Sequence, residues 1–326
     1  RWFQTIVRRE GIRVLQAQVF VRPRRTAYVF TGQGSQFAGM GMELYARCEA
    51  AREVWDKAEE FLKRRYGYSI LDVVRDNPTS LRFSGRQVSH PQGVLHLTQF
   101  TQVAITLVEM AQVEHLKAEG VYVERAMFAG HSLGEYAALS ALDILSLEWM
   151  VDMVYRRGLT MQGFVERDRN GRSPFAMIVV RPHLAGLDEA GLSELVSSIA
   201  AGGGLLEVVN FNVRDRQYAV AGDKPLLKVL RDKLDAATPA GNRSPYVKLP
   251  GIDVPFHSSQ LRSGVDSFRE VVRESIGETI DPKLLVGRYV PNLVGRPFEF
   301  NRDFVEAAHD SSKSPALADI LVNWKK

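Results

Sequence analysis

Arg125-Ala126-Met127-Phe128-Ala129-Gly130-His131-Ser132-Leu133-Gly134-Glu135-Tyr136-Ala137-Ala138-Leu139 is the stretch that decides the fold of this 326-residue chain. The apolar run 126–129 reads as a buried strand, and the alanine- and leucine-rich run after Gly134 reads as a helix. Between them stands the pattern G-x-S-x-G, a strand forced to turn sharply into a helix with Ser132 at the apex. Glycine is needed on both flanks because side chains there would collide in so tight a turn. Such a turn presents the hydroxyl, aims a helix N-terminus at it, and leaves the Leu133 N–H free to bind an oxyanion. Glycine–serine clusters are common in loops, so the five residues alone say little; the strand before and the helix after give them meaning.

Working outward, residues 27–30 form a second short strand running into Thr31-Gly32-Gln33-Gly34-Ser35-Gln36. Glycines here let a backbone approach a ligand closely, and the Gln33 N–H is a candidate second oxyanion donor opposite Leu133. A helix is expected over 42–65, ended by Gly67. Residues 75–97 read as loop, and a second helix runs over 98–117 to a stop at Gly120. Gln102 on that helix is a candidate to reach the site, with a solvated or capping role as the alternative. A helix over 146–161 carries Arg156-Arg157-Gly158; adjacent positions on a helix point about 100° apart, so at most one arginine faces the site. His131 is expected to brace the turn. No cluster of histidine, cysteine and carboxylate has metal-ligand spacing.

Residues 173–250 change character. A strand over 174–180, a helix over 187–200, a hairpin over 205–221, a helix over 224–237 and a strand from 246 give the order β-α-β-β-α-β, the ferredoxin-like plan. The chain then returns through Gly251-Ile252-Asp253-Val254-Pro255-Phe256-His257-Ser258. A serine nucleophile needs a base, and histidine titrates near neutrality; the order serine then histidine, as in α/β-hydrolases, selects His257. Pro291-Asn292-Leu293-Val294-Gly295 reads as a strand and turn, and residues 316–324 as a closing helix. The fold class is therefore α/β: an α/β-hydrolase-like core with a parallel sheet and nucleophile elbow in two parts, 26–161 and 251–326, interrupted by a ferredoxin-like insertion at 162–250.

Charge is informative through its location. The chain carries a net +4, but residues 1–25 hold seven arginines and one acid, so the remainder is slightly acidic. A nucleic-acid surface is not expected. Residues 11–22 partly alternate apolar and polar like a strand, and with Pro23 read as the end of a preceding region and a linker. Cys48 is the sole cysteine, which fits a reducing, cytoplasmic setting and a half-buried structural thiol. No apolar run reaches the length of a membrane span.

Four motifs together, Phe30-Thr31-Gly32-Gln33-Gly34-Ser35-Gln36, Gly130-His131-Ser132-Leu133-Gly134, Arg157-Gly158 with Met161, and Pro255-Phe256-His257-Ser258, resemble the malonyl-CoA:acyl-carrier-protein transacylases from about residue 26 to the end. Within that family, Asp143-Ile144-Leu145-Ser146, Arg167-Asp168-Arg169-Asn170-Gly171-Arg172-Ser173 and Tyr289-Val290-Pro291-Asn292-Leu293 look like the malonyl/palmitoyl transferase domain of the fungal fatty-acid synthase β subunit, and residues 1–25 like the last strand of its dehydratase region. The resemblance implies a ping-pong acyl-serine mechanism with Ser132 as nucleophile, His257 as base, Gln33 and Leu133 as oxyanion donors and Arg157 on the malonyl carboxylate. Phe256 resembles the bulky residue that disfavours an α-methyl branch. The substrates would be malonyl-CoA, coenzyme A and a phosphopantetheinylated acyl carrier protein, with no bound cofactor. The partners would be that carrier, the other β-subunit domains and the α subunit, in a large hetero-oligomer.

Three departures stand out. Val103 replaces a proline common in relatives, and the loops at 75–97 and 236–246 are short. The chain also stops before the segment that normally orients the histidine through a backbone carbonyl, so the N-terminus of the α subunit is expected to complete the domain. Two other readings remain open from sequence: a serine hydrolase or thioesterase, which has no use for Arg157, and a non-catalytic scaffold. The released chain length, and whether the synthase makes palmitate or a short polyketide starter, are not fixed by the residues.

Overall fold

The computed structural model describes residues 26–276 and 280–324. The expected strand at 11–22 and its linker lie outside these residues. The chain opens on β1 (Ala27–Phe30), α1 (Met42–Arg47), α2 (Glu49–Tyr66), α3 (Ile70–Asp76), a hairpin of β2 (Ser80–Phe83) and β3 (Arg86–Ser89), and α4 (Thr98–Ala118). The elbow follows as β4 (Met127–Gly130) and α5 (Gly134–Ala141), then α6 (Leu147–Gly163). Next come β5 (Phe175–Val180), α7 (Glu189–Ala200), β6 (Leu206–Val213), β7 (Gln217–Asp223), α8 (Lys224–Ala237) and β8 (Tyr246–Lys248). The last elements are α9 (Val265–Ile276), β9 (Tyr289–Val290), α10 (Arg302–Ser312) and α11 (Pro315–Val322).

The central sheet is parallel, in the order β1-β4-β9, with Phe30 beside Gly130 and Phe128 beside Tyr289. Parallel strands need covering helices on their faces, and α4 is the main one. Leu107, Phe100 and Val103 on it are fully buried, and Trp55 and Leu62 of α2 pack into the same core. The buried Thr106 hydroxyl is satisfied within the helix, donating to the Gln102 and Val103 carbonyls. The α6 helix comes unusually close to α4, because Gly158 has no Cβ; one placed there would lie 2.4 Å from Gln99 Cα. That close approach brings Arg157 and Gln102 toward the same space.

The second sheet is antiparallel, in the order β6-β7-β5-β8, which is the ferredoxin-like arrangement expected from the β-α-β-β-α-β order. Its two helices share one apolar cluster with it, including Leu192, Val196, Tyr218, Leu227 and Leu230. The other face contributes Met177, Ala219 and Ala221 to a small cluster with Ile252, Val254 and Phe256. Through that cluster the second sheet lies against the segment carrying His257. The β6 strand is irregular against β7 between Val208 and Asn210 and again between Phe211 and Val213, the kind of irregularity that re-aims side chains beside functional sites.

Several expectations need correcting. The single helix over 42–65 is two, because Cys48 is extended (φ −122°, ψ 118°) and serves as the junction. Residues 75–97 are less irregular than expected: Ser84 and Gly85, both at positive φ (45° and 73°), close a hairpin, as a type I′ turn does. The strand expected at 291–295 lies two residues earlier, and residues 291–295 form the turn after it. The closing helix is Pro315–Val322, preceded by α9 and α10, which sequence reading passed over although Val265, Phe268 and Val272, and Asn301 with Phe304 and Ala308, carry helical spacing and a cap.

Candidate active site

At the elbow, sterics leave little choice. A Cβ on Gly130 would sit 2.1 Å from the Gly134 carbonyl carbon, and one on Gly134 would sit 2.3 Å from the Phe30 oxygen. Ser132 itself is held at φ 52°, in the left-handed region that a serine enters only under constraint. The strain projects its hydroxyl away from the sheet. Behind it, the Ser132 N–H donates to Asn292 Oδ1 at 2.6 Å, while Glu135 Oε1 accepts from Asn292 N at 2.8 Å and from the Tyr289 hydroxyl at 2.7 Å. The loop after β9 therefore locks the elbow from the far side.

Ser132 Oγ lies 2.8 Å from His257 Nε2. His257 also has a positive φ of 61°, so both members of the pair are held in strained backbone. His257 keeps an exposed edge, but loss of water around the ring, with the charge of Arg157 and the neighbouring His131 adding to it, pushes the imidazole down to about 4. It is neutral at pH 7 and able to accept the serine proton. Among the described residues its Nδ1 has no hydrogen-bond acceptor.

Arg157 is 8% exposed, with Nη2 3.4 Å from Ser132 Oγ and its guanidinium 5.4 Å from the centre of the Tyr136 ring. Among the described residues no carboxylate pairs with it. Arg156, next to it, turns away and pairs with Asp152 and Glu274; the two arginines diverge as helix geometry requires. A buried unpaired cation is costly unless a ligand supplies the counter-charge.

Gln33, Gln102, Ser132, Leu133, Arg157, Phe256 and His257, predicted from five separate points in the chain, all line one cavity of about 160 Å³. Gln102 is buried and its Nε2 reaches Gln33 Oε1 at 3.3 Å, so α4 supports the side chain of the residue whose N–H is a candidate donor. Among the described residues the N–H groups of Gln33 and Leu133 have no protein acceptor. The Ser132 N–H, by contrast, is taken by Asn292. Glu109, also on α4, accepts from Thr31 N at 2.5 Å and Thr31 Oγ1 at 3.0 Å, anchoring the start of the Gln33 loop. His131 braces across to the second sheet, with Nε2 3.1 Å from Asn212 Oδ1. Larger recesses exist, including one of about 600 Å³ along β1, but this cavity is where the nucleophile, the neutral imidazole and the buried cation meet.

Sequence reading missed Asn292, Glu135 and Asn212 as site residues. Glu135 adjoins the elbow motif and Asn292 stands in a stretch singled out for its resemblance, yet nothing in spacing tells that an asparagine 160 residues away caps the nucleophile's N–H.

This constellation defines an acyl-transfer class of site, and comparison with known proteins agrees. Residues 27–246 match the acyl transferase domain family. The chain belongs to that family. It is 38% identical over 391 aligned positions to the fatty acid synthase beta subunit TOXC of Cochliobolus carbonum, covering 96% of this chain and 19% of that protein. It is 33% identical over 402 positions to the fatty acid synthase subunit beta of Saccharomyces cerevisiae, covering 97% of this chain and 20% of that one. The chain thus spans about a fifth of the length of these relatives. Among solved structures, the malonyl CoA-acyl carrier protein transacylase of Coxiella burnetii is similar, with a TM-score of 0.67 and 25% identity over 94% of this chain and 84% of that one.

Proposed function

We propose that this domain moves malonyl groups from coenzyme A to the phosphopantetheine of an acyl carrier protein through an acyl-Ser132 intermediate, as part of a cytoplasmic fungal-type fatty-acid synthase. The observation that carries the reading is Arg157: a buried guanidinium without a carboxylate partner among the described residues, 3.4 Å from Ser132 Oγ. Its planar fork suits a carboxylate held bidentately, which an esterase or thioesterase acting on uncharged acyl groups does not need.

In the first half-reaction His257 Nε2 takes the Ser132 proton as Oγ attacks the thioester carbonyl. The tetrahedral oxyanion sits on the Gln33 and Leu133 N–H groups; loss of one such donor typically costs about 3 kcal/mol of transition-state stabilisation. Collapse breaks the C–S bond, and His257 returns the proton to the departing coenzyme A thiolate. In the second half the carrier's thiol gives its proton to His257 and attacks the acyl-serine; collapse breaks the acyl C–Oγ bond, and His257 returns the proton to Ser132 Oγ. No cofactor is consumed.

A finer reading adds long-chain transfer. A groove of about 700 Å³ starts at Arg157 and His257 and passes Phe164, Leu261 and Phe268, and its apolar walls suit a palmitoyl chain once Arg157 swings aside. Phe256, buried beside the base, would hinder an α-branched acyl group. Arg262 also lines that groove, with Arg269 and Lys313 paired to Asp266 and Asp310, and would favour an acidic carrier protein. Completion by the α subunit's N-terminal segment is supported by His257 Nδ1, which has no acceptor among the described residues, and by the exposed apolar residues Phe300, Ile320 and Val322 (71%, 47% and 80% exposed). Malonyl transfer measured with and without that segment checks this, and equal activity would sink it.

The test of the central reading is Arg157→Ala. Malonyl transfer should fall by about 100-fold or more, the scale of a lost buried charge-assisted contact, while transfer of an uncharged acyl group is spared. Equal losses on both substrates would remove the assigned role.

A further inference from the structure

The stretch Arg167-Asp168-Arg169-Asn170-Gly171-Arg172-Ser173 lies outside the reacting groups, yet its first arginine is one of the most completely engaged side chains in the molecule. A guanidinium has five N–H donors, and all five of Arg167 have acceptors. Nη1 donates to Asp253 Oδ2 at 2.6 Å and to the Gly171 carbonyl at 2.8 Å, and Nη2 donates to Asp253 Oδ1 at 2.8 Å. With the Gln162 amide oriented to satisfy both its ends, its oxygen accepts from Arg167 Nε at 2.8 Å and Nη2 at 2.7 Å, and its nitrogen donates to Thr98 Oγ1 at 3.1 Å. No donor is left for a ligand.

Two of these acceptors, Gln162 and Asp253, and Thr98 through Gln162, belong to three different pieces of the site. Gln162 lies in the last turn of α6, the helix that carries Arg157. Thr98 begins α4, which carries Gln102. Asp253 stands four residues before His257. The link from Asp253 to the imidazole is short and stiff: Val254 and Pro255 are buried, Phe256 N donates to the Val254 carbonyl at 2.9 Å, and Ser258 Oγ donates to the Pro255 carbonyl at 2.7 Å. His90 completes the knot. Its Nδ1 accepts from Gln92 N at 3.2 Å, which leaves the proton on Nε2, 3.3 Å from Asp253 Oδ2. On the other side of the base, Ser259 N donates to Glu207 Oε2 on β6 at 2.8 Å and the Ser259 hydroxyl to Oε1. His257 is therefore clamped from both flanks without a carboxylate touching its ring among the described residues.

We infer that Arg167 is a positioning residue for acyl transfer: its fork on Asp253 ties the strained segment ending at His257 to the end of the helix bearing Arg157, so that base and carboxylate-binding arm converge on Ser132. The inference rests on the acyl-serine reading above. It requires the bidentate geometry as well as the charge, so lysine does not substitute. Loosening the segment moves the base relative to Ser132 Oγ whatever the acyl group, whereas Arg157 acts only on acyl groups with a free carboxylate.

Arg167→Lys and Asp253→Asn separate these roles. With the proposed completing segment supplied, transfer of malonyl and of acetyl from coenzyme A is measured alongside thermal unfolding, at two temperatures below the melting transition. The inference predicts kcat lowered 10- to 100-fold for both acyl groups in both variants, with KM for malonyl-CoA within about twofold and the loss unchanged at the lower temperature. The double variant should lose little more than either single one. Wild-type kcat in the variants, recovery on cooling, or a rise in KM for malonyl-CoA alone would overturn it; recovery on cooling would make Arg167 a stabilising contact only. Failure of the unaltered protein to load malonyl on Ser132 would instead overturn the acyl-transfer reading.

Discussion

Ser132 and His257 meet at 2.8 Å, yet they reach that meeting by opposite means. The serine is placed by its immediate neighbours: two glycines whose absent Cβ atoms leave room for the turn, a strand before and a helix after. The histidine is placed by residues far away in sequence, through Arg167 on Asp253 on one flank and Glu207 on Ser259 on the other. A nucleophile fixed by local sterics tolerates no change at its turn and is legible as a motif. A base fixed by polar partners is adjustable, and the partners that fix it leave no local pattern.

The strongest way to break this contrast is Gly134→Ala. The added carbon would meet the Phe30 carbonyl at 2.3 Å, backbone against backbone, with no flexible side chain to give way. We expect loss of folded protein, or destabilisation of more than about 3 kcal/mol as for severe strain and overpacking, measured by denaturant unfolding. A variant that folds and transfers normally would show that the elbow is not sterically determined. Asn292→Ala probes the elbow from behind. Removing the acceptor leaves the Ser132 N–H to solvent, and we expect roughly a 10-fold drop in kcat with little change in KM in steady-state transfer. An unchanged rate would mean that the glycines alone hold the serine.

The base side should respond to charge and solvent instead. His257 is held below its ordinary value, so the reactive neutral form persists well below neutrality and is lost only as pH falls toward about 4. The same depression means that folded-state stability from this group is full above the ordinary histidine range and declines as pH drops through that window. Arg157 is one cause of the depression, so Arg157→Ala should move the acid limb of kcat/KM, measured with an uncharged acyl-CoA, toward higher pH. An acid limb that stays put would show that burial alone sets it.

Glu109 gives the smallest expected effect. Burial raises its carboxyl to about 7, against the lowering pull of the Thr31 hydrogen bonds. An acid raised above its unfolded value favours the folded state at low pH and loses that contribution as pH rises through its folded value. The melting temperature should therefore fall between pH 5.5 and 8 by a few degrees, and by less in Glu109→Gln, which keeps an acceptor for Thr31. Identical pH profiles would remove Glu109 as the cause.

Most of the framework was legible because it follows from local rules. The β4–α5 elbow, the Lys224–Ala237 helix and the ferredoxin-like strand order were read from periodicity, glycines and element sequence. The break at Cys48 was not, since neither proline nor glycine marks it. Helix geometry separated Arg157 from Arg156 only as one of two, since it states that they diverge without stating which faces inward, and the resemblance chose Arg157. The parts of the site that sequence left dark, Asn292 behind the nucleophile and the Arg167–Asp253 pair beside the base, are contacts across 160 and 86 residues. Such polar pairings leave no periodic trace.

Intact-mass measurement of the chain after brief exposure to malonyl-CoA, beside acetyl-CoA and a Ser132→Ala control, tests the central claim most directly. A single malonyl adduct localised to Ser132, formed faster than the acetyl adduct and absent from the control, is the predicted result. An adduct elsewhere, or malonyl and acetyl loading at equal rates, would contradict an acyl-transfer nucleophile served by a carboxylate-binding Arg157.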